Sequence, residues 1–205
     1  MADASRYAVP AGVHRVEQTI QRSRFITTTA RAPDAAAAHA FVARIREEFP
    51  DATHNCWAFV AGPPGDTAQI GMSDDGEPHG TAGRPMLTTL LHGGVGEIVA
   101  VCTRYFGGVK LGTGGLSRAY SGSVNQALQS MPRAERVDRV GLRVTVGYAE
   151  VEGFQRLAEE RGVTVDSEDF AAEVTFVVGV PVADREDFEE ALAELTQGRA
   201  RIEPS

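Results

Sequence analysis

The segment that decides the fold is 98–120, IVAVCTRYFGGVKLGTGGLSRAY. Its first five residues form a near-continuous apolar run, which predicts a buried central strand. A glycine-rich loop follows, and the sequence after the loop places its apolar side chains on one face at helical spacing. We therefore predict a strand, a loop and a helix that begins near Gly114 and ends before Pro132, since proline cannot donate a helical hydrogen bond.

The loop holds Lys110, the only lysine of the chain, against 19 arginines. The glycines around it let the backbone approach a ligand without Cβ clashes, and the start of the next helix leaves N–H groups unpaired. Arg104 and Arg118 would add positive charge, so the pattern favours an anion site. The same pattern is typical of close packing between a strand and a helix around glycines, and the sequence alone leaves both interpretations open.

A second polar segment, 73–85, reads SDDGEPHGTAGRP and has too many turn-forming residues for regular structure. Its acidic residues could bind a divalent metal, transfer a proton or stand in solvent; they are Asp74, Asp75 and Glu77. Thr81 is predicted to cap a helix that runs to about His92.

Three smaller patterns are compatible with chemistry. His54 and Cys56 are two residues apart at the start of a predicted strand, so they share one face, as a base and a nucleophile would. The aromatic pair 105–106 could stack on a nucleic-acid base or belong to the core. Free cysteine is usually buried, which favours a core position for Cys56 and Cys102. The chain has no CxxC or Cys/His ligand spacing, so we expect no structural zinc site. The preferred interpretation also includes no metal ion and no cofactor.

The net charge of −8 belongs entirely to residues 136–205, where 16 acidic residues face 8 arginines. An acidic surface argues against nonspecific nucleic-acid binding by this part, although not against a protein partner. No run of 18 apolar residues predicts a transmembrane helix, and the N-terminus lacks an apolar core of signal-peptide length. We therefore expect a cytoplasmic protein that does not contact a membrane.

The remaining sequence predicts two domains, 1–134 and 135–205. In the first, the initial 11 residues suggest a loose tail, followed by two strands, a helix and two shorter strands; they are expected near 13–20, 22–30, 34–49, 55–61 and 68–72. In the second, alternating apolar residues and short amphipathic segments predict the order β-α-β-β-α-β, which is the ferredoxin-like plan.

The segments 73–87, SDDGEPHGTAGRPML, and 103–120 strongly resemble the two signatures of the YigZ/IMPACT family. The stretches RSRFI at 22–26 and THNCWAF at 53–59 resemble its weaker upstream motifs. The resemblance implies an α+β protein, with a two-layer N-terminal α/β domain of the ribosomal-protein second-domain type. The C-terminal ferredoxin-like domain would resemble one found in translocating elongation factors. Eukaryotic family members are linked to control of translation initiation under amino-acid starvation.

Two hypotheses follow for function. In the first, the chain is a regulatory binding protein tied to translation, and both signature segments form one surface for an anionic group on RNA, a nucleotide or an acidic partner. Its partners would be the ribosome, RNA, a translation-related protein or a small phosphate-bearing ligand. In the second, the chain is an enzyme acting on a phosphorylated or carboxylated small molecule. Lys110 would hold the anion, and the acidic loop, which contains Asp74, Asp75 and Glu77, would bind metal or move a proton. The candidate residues are Asp74, Asp75, Glu77, Thr81, Arg84, Arg104, Gly107, Gly108, Lys110, Gly112, Thr113, Gly114 and Gly115.

Overall fold

A computed structural model describes residues 5–205, which divide into two compact units. Residues 7–135 form the larger unit, and residues 136–205 with residues 5 and 6 form the other. Both units combine helices with antiparallel sheets, so the expected α+β class is confirmed.

The larger unit is built on a five-stranded antiparallel sheet. Its strands, in spatial order, are β2 (His14–Ile20), β3 (Ser23–Arg31), β6 (Ile98–Tyr105), β4 (His54–Val60) and β5 (Ile70–Ser73). The central position of β6 agrees with its continuous apolar run, since a strand with neighbours on both sides and helices on both faces has no solvent-facing side. Two further strands pair with each other in a separate ladder; they are β1 (Arg6–Pro10) and β7 (Arg133–Val137).

Helices cover both faces of the five-stranded sheet. Strand β4 shows the division, because Cys56 and Ala58 point toward one core and Phe59 points toward the other. The first core is closed by α2 (Gly83–Leu91) and α3 (Gly112–Ser130), and the second by α1 (Ala35–Glu48). The unit therefore has three layers where two were expected.

Three local predictions need correction. Residues 6–10, expected in a loose tail, form β1 instead, and residues 1–4 of that tail lie outside the described part of the chain. Residues 133–137 form β7, which the sequence did not predict. Helix α3 begins at Gly112 rather than near Gly114, so the glycine loop before it is shorter than expected.

The smaller unit has the predicted order of elements. Its strands and helices are, in chain order, β8 (Arg139–Val146), α4 (Val151–Glu160), β9 (Thr164–Phe170), β10 (Val174–Pro181), α5 (Arg185–Thr196) and β11 (Arg201–Pro204). The sheet is antiparallel in the order β11-β8-β10-β9. Its core joins alternate residues of β8 and β10 to both helices, with the rings of Phe154 and Phe176 stacked at 4.4 Å between centroids.

Among residues 5–205, none of the helices combines the length and the apolar character that crossing a membrane requires.

Candidate functional site

The glycine loop is held against the hairpin turn between β2 and β3. A Cβ atom added to Gly107 would lie 1.9 Å from the backbone oxygen of Arg22, so only glycine fits there. Gly107 N–H donates to Ser23 Oγ at 3.2 Å. Gly112, with φ +72°, then turns the chain into α3, whose first turn receives no hydrogen bond from a capping side chain. The helix therefore begins with N–H groups that no side chain caps.

A buried ion pair lies at the base of this loop. Arg104 Nη1 donates to Glu77 Oε1 at 2.6 Å, and both side chains are at least 95% buried. Tyr120 Oη donates to the same oxygen at 2.8 Å, and Arg104 Nη2 donates to Ser23 Oγ at 3.2 Å. Because a buried charge is costly unless it is paired, this network fixes the acidic loop against β6.

The ion pair forms the floor of a cleft of about 350 Å³. Its walls are mainly apolar, and Lys110 and the start of α3 supply polar groups. The lining residues are Glu77, Pro78, Arg104, Phe106, Lys110, Leu111, Gly112, Thr113 and Leu116. Residues of both signature segments therefore meet in one concave site, which is the arrangement that recognition of a small group requires.

Asp74 acts as the cap of α2. Its carboxylate accepts hydrogen bonds from the N–H groups of Gly80, Ala82 and Gly83 at 2.8 to 3.0 Å. Partial burial acts to raise the pKa of Asp74, but the three N–H donors and nearby His79 outweigh it, so the pKa is lowered from its usual value. Asp74 therefore provides the helix capping that was predicted for Thr81.

We expect Asp74→Asn to lower the free energy of unfolding at pH 7 by about 2 kcal/mol, since hydrogen bonds to a charged acceptor are lost. The pKa of Asp74 is lower in the folded chain than in the unfolded chain. Its stabilising effect is therefore complete above the unfolded pKa of about 4 and is lost as the pH falls through the folded pKa. Urea denaturation between pH 2 and 7 should give a flatter profile for the variant. The exposed Glu47→Gln should keep the wild-type profile, and a variant profile parallel to wild type would contradict this role.

The predicted N-cap at Thr81 is wrong, because α2 begins at Gly83, Ala82 occupies the N-cap position and the capping carboxylate comes from Asp74. Thr81 Oγ1 donates to the carbonyl of Pro78 at 2.7 Å instead, and closes the preceding turn. Asp75 is also engaged within the fold: its carboxylate accepts from Arg46 at 2.6 Å and from the N–H of Asn55 at 2.7 Å.

The structure thus brings together part of the candidate set. Glu77, Arg104, Lys110, Gly112 and Thr113 line the cleft. Four other candidates lie outside this cleft. Gly107 packs on the hairpin, Gly115 lines a neighbouring depression, and Asp74 and Arg84 line a separate cavity of about 520 Å³. Neither Asp75 nor Thr81 lines any of these cavities, and neither do Gly108 and Gly114.

This distribution bears on the enzyme hypothesis. That hypothesis requires the acidic loop and Lys110 to converge, and only Glu77 does so, with one oxygen already accepting from Arg104 and Tyr120. Within residues 5–205, no cluster of three or more His, Cys, Asp or Glu side chains is placed to hold a metal ion. Of the three acidic candidates, Glu77 is therefore the one that shares the cleft with Lys110.

Cys56 does not have the character of a nucleophile. Burial raises the pKa of its thiol, which donates to the backbone oxygen of Asp74 at 2.9 Å. Burial likewise raises the pKa of Cys102 to about 12. Both cysteines lie in the core below α3, as their sequence context predicted.

Several residues around the cleft were not in the candidate set. Ser23 and Phe25 come from the RSRFI stretch, and Arg104 lies over the Phe25 ring at 5.4 Å. His54, from THNCWAF, places Nε2 3.8 Å from Glu77 Oε2. Tyr120 is the last residue of the second signature. The two upstream motifs, RSRFI and THNCWAF, were the sequence signal that could have identified these residues, since each motif supplies a residue close to the ion pair.

Comparison with known proteins identifies relatives of both units. The family model for the Impact N-terminal domain matches residues 21–128, and a model for a domain of unknown function, DUF1949, matches residues 144–199. The chain is 42% identical to IMPACT family member YigZ of Escherichia coli (strain K12) over 96% of both chains, and 36% identical to IMPACT family member YvyE of Bacillus subtilis (strain 168) over 94% and 87%.

A solved structure described as that of a hypothetical protein is also similar, with a TM-score of 0.67, 41% sequence identity and 98% coverage of both chains. With both of its units matched and relatives aligned over nearly its full length, the chain belongs to the IMPACT family.

Proposed function

We propose that this protein is a regulatory binding protein of the translation apparatus that recognises an anionic group in the cleft between its two signature segments. The observation that carries the proposal is the meeting of Lys110 with the uncapped start of α3 in one concave site. An anion there would accept hydrogen bonds from free N–H groups at the positive end of the helix.

The charges of the cleft support an anionic rather than a cationic ligand. The positive charge of Arg104 is balanced by Glu77. Lys110 has no carboxylate within 4.0 Å among the residues that the structure describes. The lysine and the helix end therefore give the mouth of the cleft a net positive potential, and the apolar walls strengthen its effect by excluding water.

Family membership supports the link to translation, because the resemblance implies a role in its regulation. The ribosome, RNA or a translation-related protein are the proposed partners, and a small phosphate-bearing molecule is the proposed alternative ligand. The acidic surface of residues 136–205, with its net charge of −8, suits a basic protein surface better than a nucleic acid.

Lys110→Ala is expected to weaken association with ribosomes and with inorganic polyphosphate, and to leave Tm nearly unchanged. The residue contributes charge to the cleft without an ion pair, so removing it affects the ligand more than the fold. Ribosome co-sedimentation and a thermal-shift titration with polyphosphate would measure both effects, since a ligand of the folded state raises Tm.

Arg44→Ala is the matched control, because Arg44 lies on α1 across the sheet and stacks on Phe41 at 4.7 Å. It removes the same charge from the same unit and should leave binding unchanged. A large fall in Tm with unchanged binding in Lys110→Ala would mean that the lysine is structural, and the proposal would fail.

A further inference from the structure

The cleft contains an exposed aromatic ring, which a site for a bare anion would not need. Phe106 lines the cleft and is 46% exposed, and the guanidinium of Arg104 lies 5.5 Å from its ring centroid. Pro78, Leu111 and Leu116 complete an apolar wall. A ligand that uses this site fully therefore has a flat, weakly polar part as well as an anionic group. Nucleobases have this character and stack on aromatic side chains without regard to sequence.

The floor of the cleft also has unused hydrogen-bonding capacity. The Arg104 side chain is 95% buried, and its Nε has no hydrogen-bond partner among the residues that the structure describes. Such unsatisfied buried donors are rare in folded proteins. This observation is independent of the helix end and shows that a lining residue of the cleft keeps one donor that the fold does not use.

A second depression, of about 210 Å³, lies next to the first. Leu111 lines both, and the other lining residues of the second are Ile20, Gln21, Gly115, Arg118 and Ala119. Arg118 is exposed and, within the described residues, has no carboxylate partner. It follows Gly112 by six residues, which places it about 9 Å further along the α3 axis. The two depressions therefore offer two separate positive positions, one at Lys110 and the start of α3 and the other at Arg118 within the helix.

We propose that these two depressions bind a short single-stranded nucleic acid. One base stacks on Phe106, its phosphate lies at Lys110 and the start of α3, and the next phosphate lies near Arg118. A duplex is excluded as the preferred ligand because its bases are already stacked and cannot enter the cleft. The inference rests on the proposed function, since it names the ligand of the same cleft.

The test is fluorescence anisotropy with a labelled eight-nucleotide single-stranded RNA, compared with inorganic polyphosphate, which carries charge without bases, and with the same RNA as a duplex. The single strand should bind more tightly than the duplex. Phe106→Leu should weaken single-strand binding at least about 5-fold and leave polyphosphate binding unchanged. Arg118→Gln should reduce the slope of log affinity against log salt by about 0.7. Arg44→Gln should alter none of these values.

Different results separate the inference from the proposed function. If RNA and polyphosphate bind with equal affinity and Phe106→Leu changes neither affinity, the inference is overturned. The proposed anion site is still supported in that case if Lys110→Ala weakens the binding of both ligands. If an acidic peptide binds through Lys110 and the single strand does not, the inference is again overturned and the proposed function survives. If no anion binds, both are overturned.

Discussion

Replacing Arg104 with leucine is expected to lower the free energy of unfolding of the larger unit by about 3–5 kcal/mol. The change leaves the buried Glu77 carboxylate with a hydrogen bond from Tyr120 but without its opposite charge. A buried charge deprived of its partner costs far more than the pair itself contributes. Urea denaturation followed by the fluorescence of Trp57, the only tryptophan, reports on this unit alone.

Arg24→Leu provides the matched control. Arg24 also pairs with a glutamate, Glu17 at 2.6 Å, but both side chains are about half exposed. Because solvent screens such pairs, this variant should unfold close to the wild-type urea concentration. If Arg104→Leu lowered the free energy of unfolding as little as Arg24→Leu does and also abolished anion binding, the role of Arg104 would be to contact the ligand and not to hold the acidic loop in place.

Gly107→Ala is expected to destabilise the same unit by about 3 kcal/mol and to weaken anion binding in the cleft. The added Cβ would lie 1.9 Å from the oxygen and 2.0 Å from the carbonyl carbon of Arg22. These are backbone atoms of a hairpin turn in which Gln21 and Arg22 both have positive φ, so neither can move aside by changing a rotamer. The loop must shift instead, and Lys110 with it.

Gly122→Ala is the control for that substitution. Gly122 lies on the exposed side of α3, and an added Cβ would meet no atom within 4 Å. Alanine there should stabilise the helix by about 0.5–1 kcal/mol. The same urea denaturation, with a polyphosphate titration, measures both variants. Equal stability of Gly107→Ala and wild type would contradict the proposed contact between the glycine loop and the hairpin.

Local sequence predicted most elements of the fold because their signals are local. The continuous apolar run at 98–102 indicated the central strand, and the alternation at Val174, Phe176 and Val178 indicated β10. Strands β1 and β7 were missed since each has five residues and is fixed by pairing with a partner more than 120 residues away. The third layer was missed although β4 carries apolar residues on both of its faces, which is what burial on both sides requires.

The sequence indicated several of the residues that line the cleft, but it did not indicate which partner each acidic residue binds. The spacing of Asp74, Asp75 and Glu77 could not show that each has a different partner, because Asp75 and Glu77 bind residues of distant segments. Asp74 caps α2 eight and nine residues later, Asp75 binds Arg46, and Glu77 pairs with Arg104, 27 residues further along. Only the family resemblance joined the two signature segments into one predicted surface.

The engagement of those three carboxylates has a consequence for how a ligand is received. A segment tied at three points within ten residues, to a helix start, a neighbouring helix and the central strand, has already lost its conformational freedom before any ligand arrives. The wall of the cleft is thus preorganised, so binding does not require ordering of this loop. Free and occupied forms should share one backbone conformation here, to within about 1 Å. Affinity is then determined by the ligand's fit and charge.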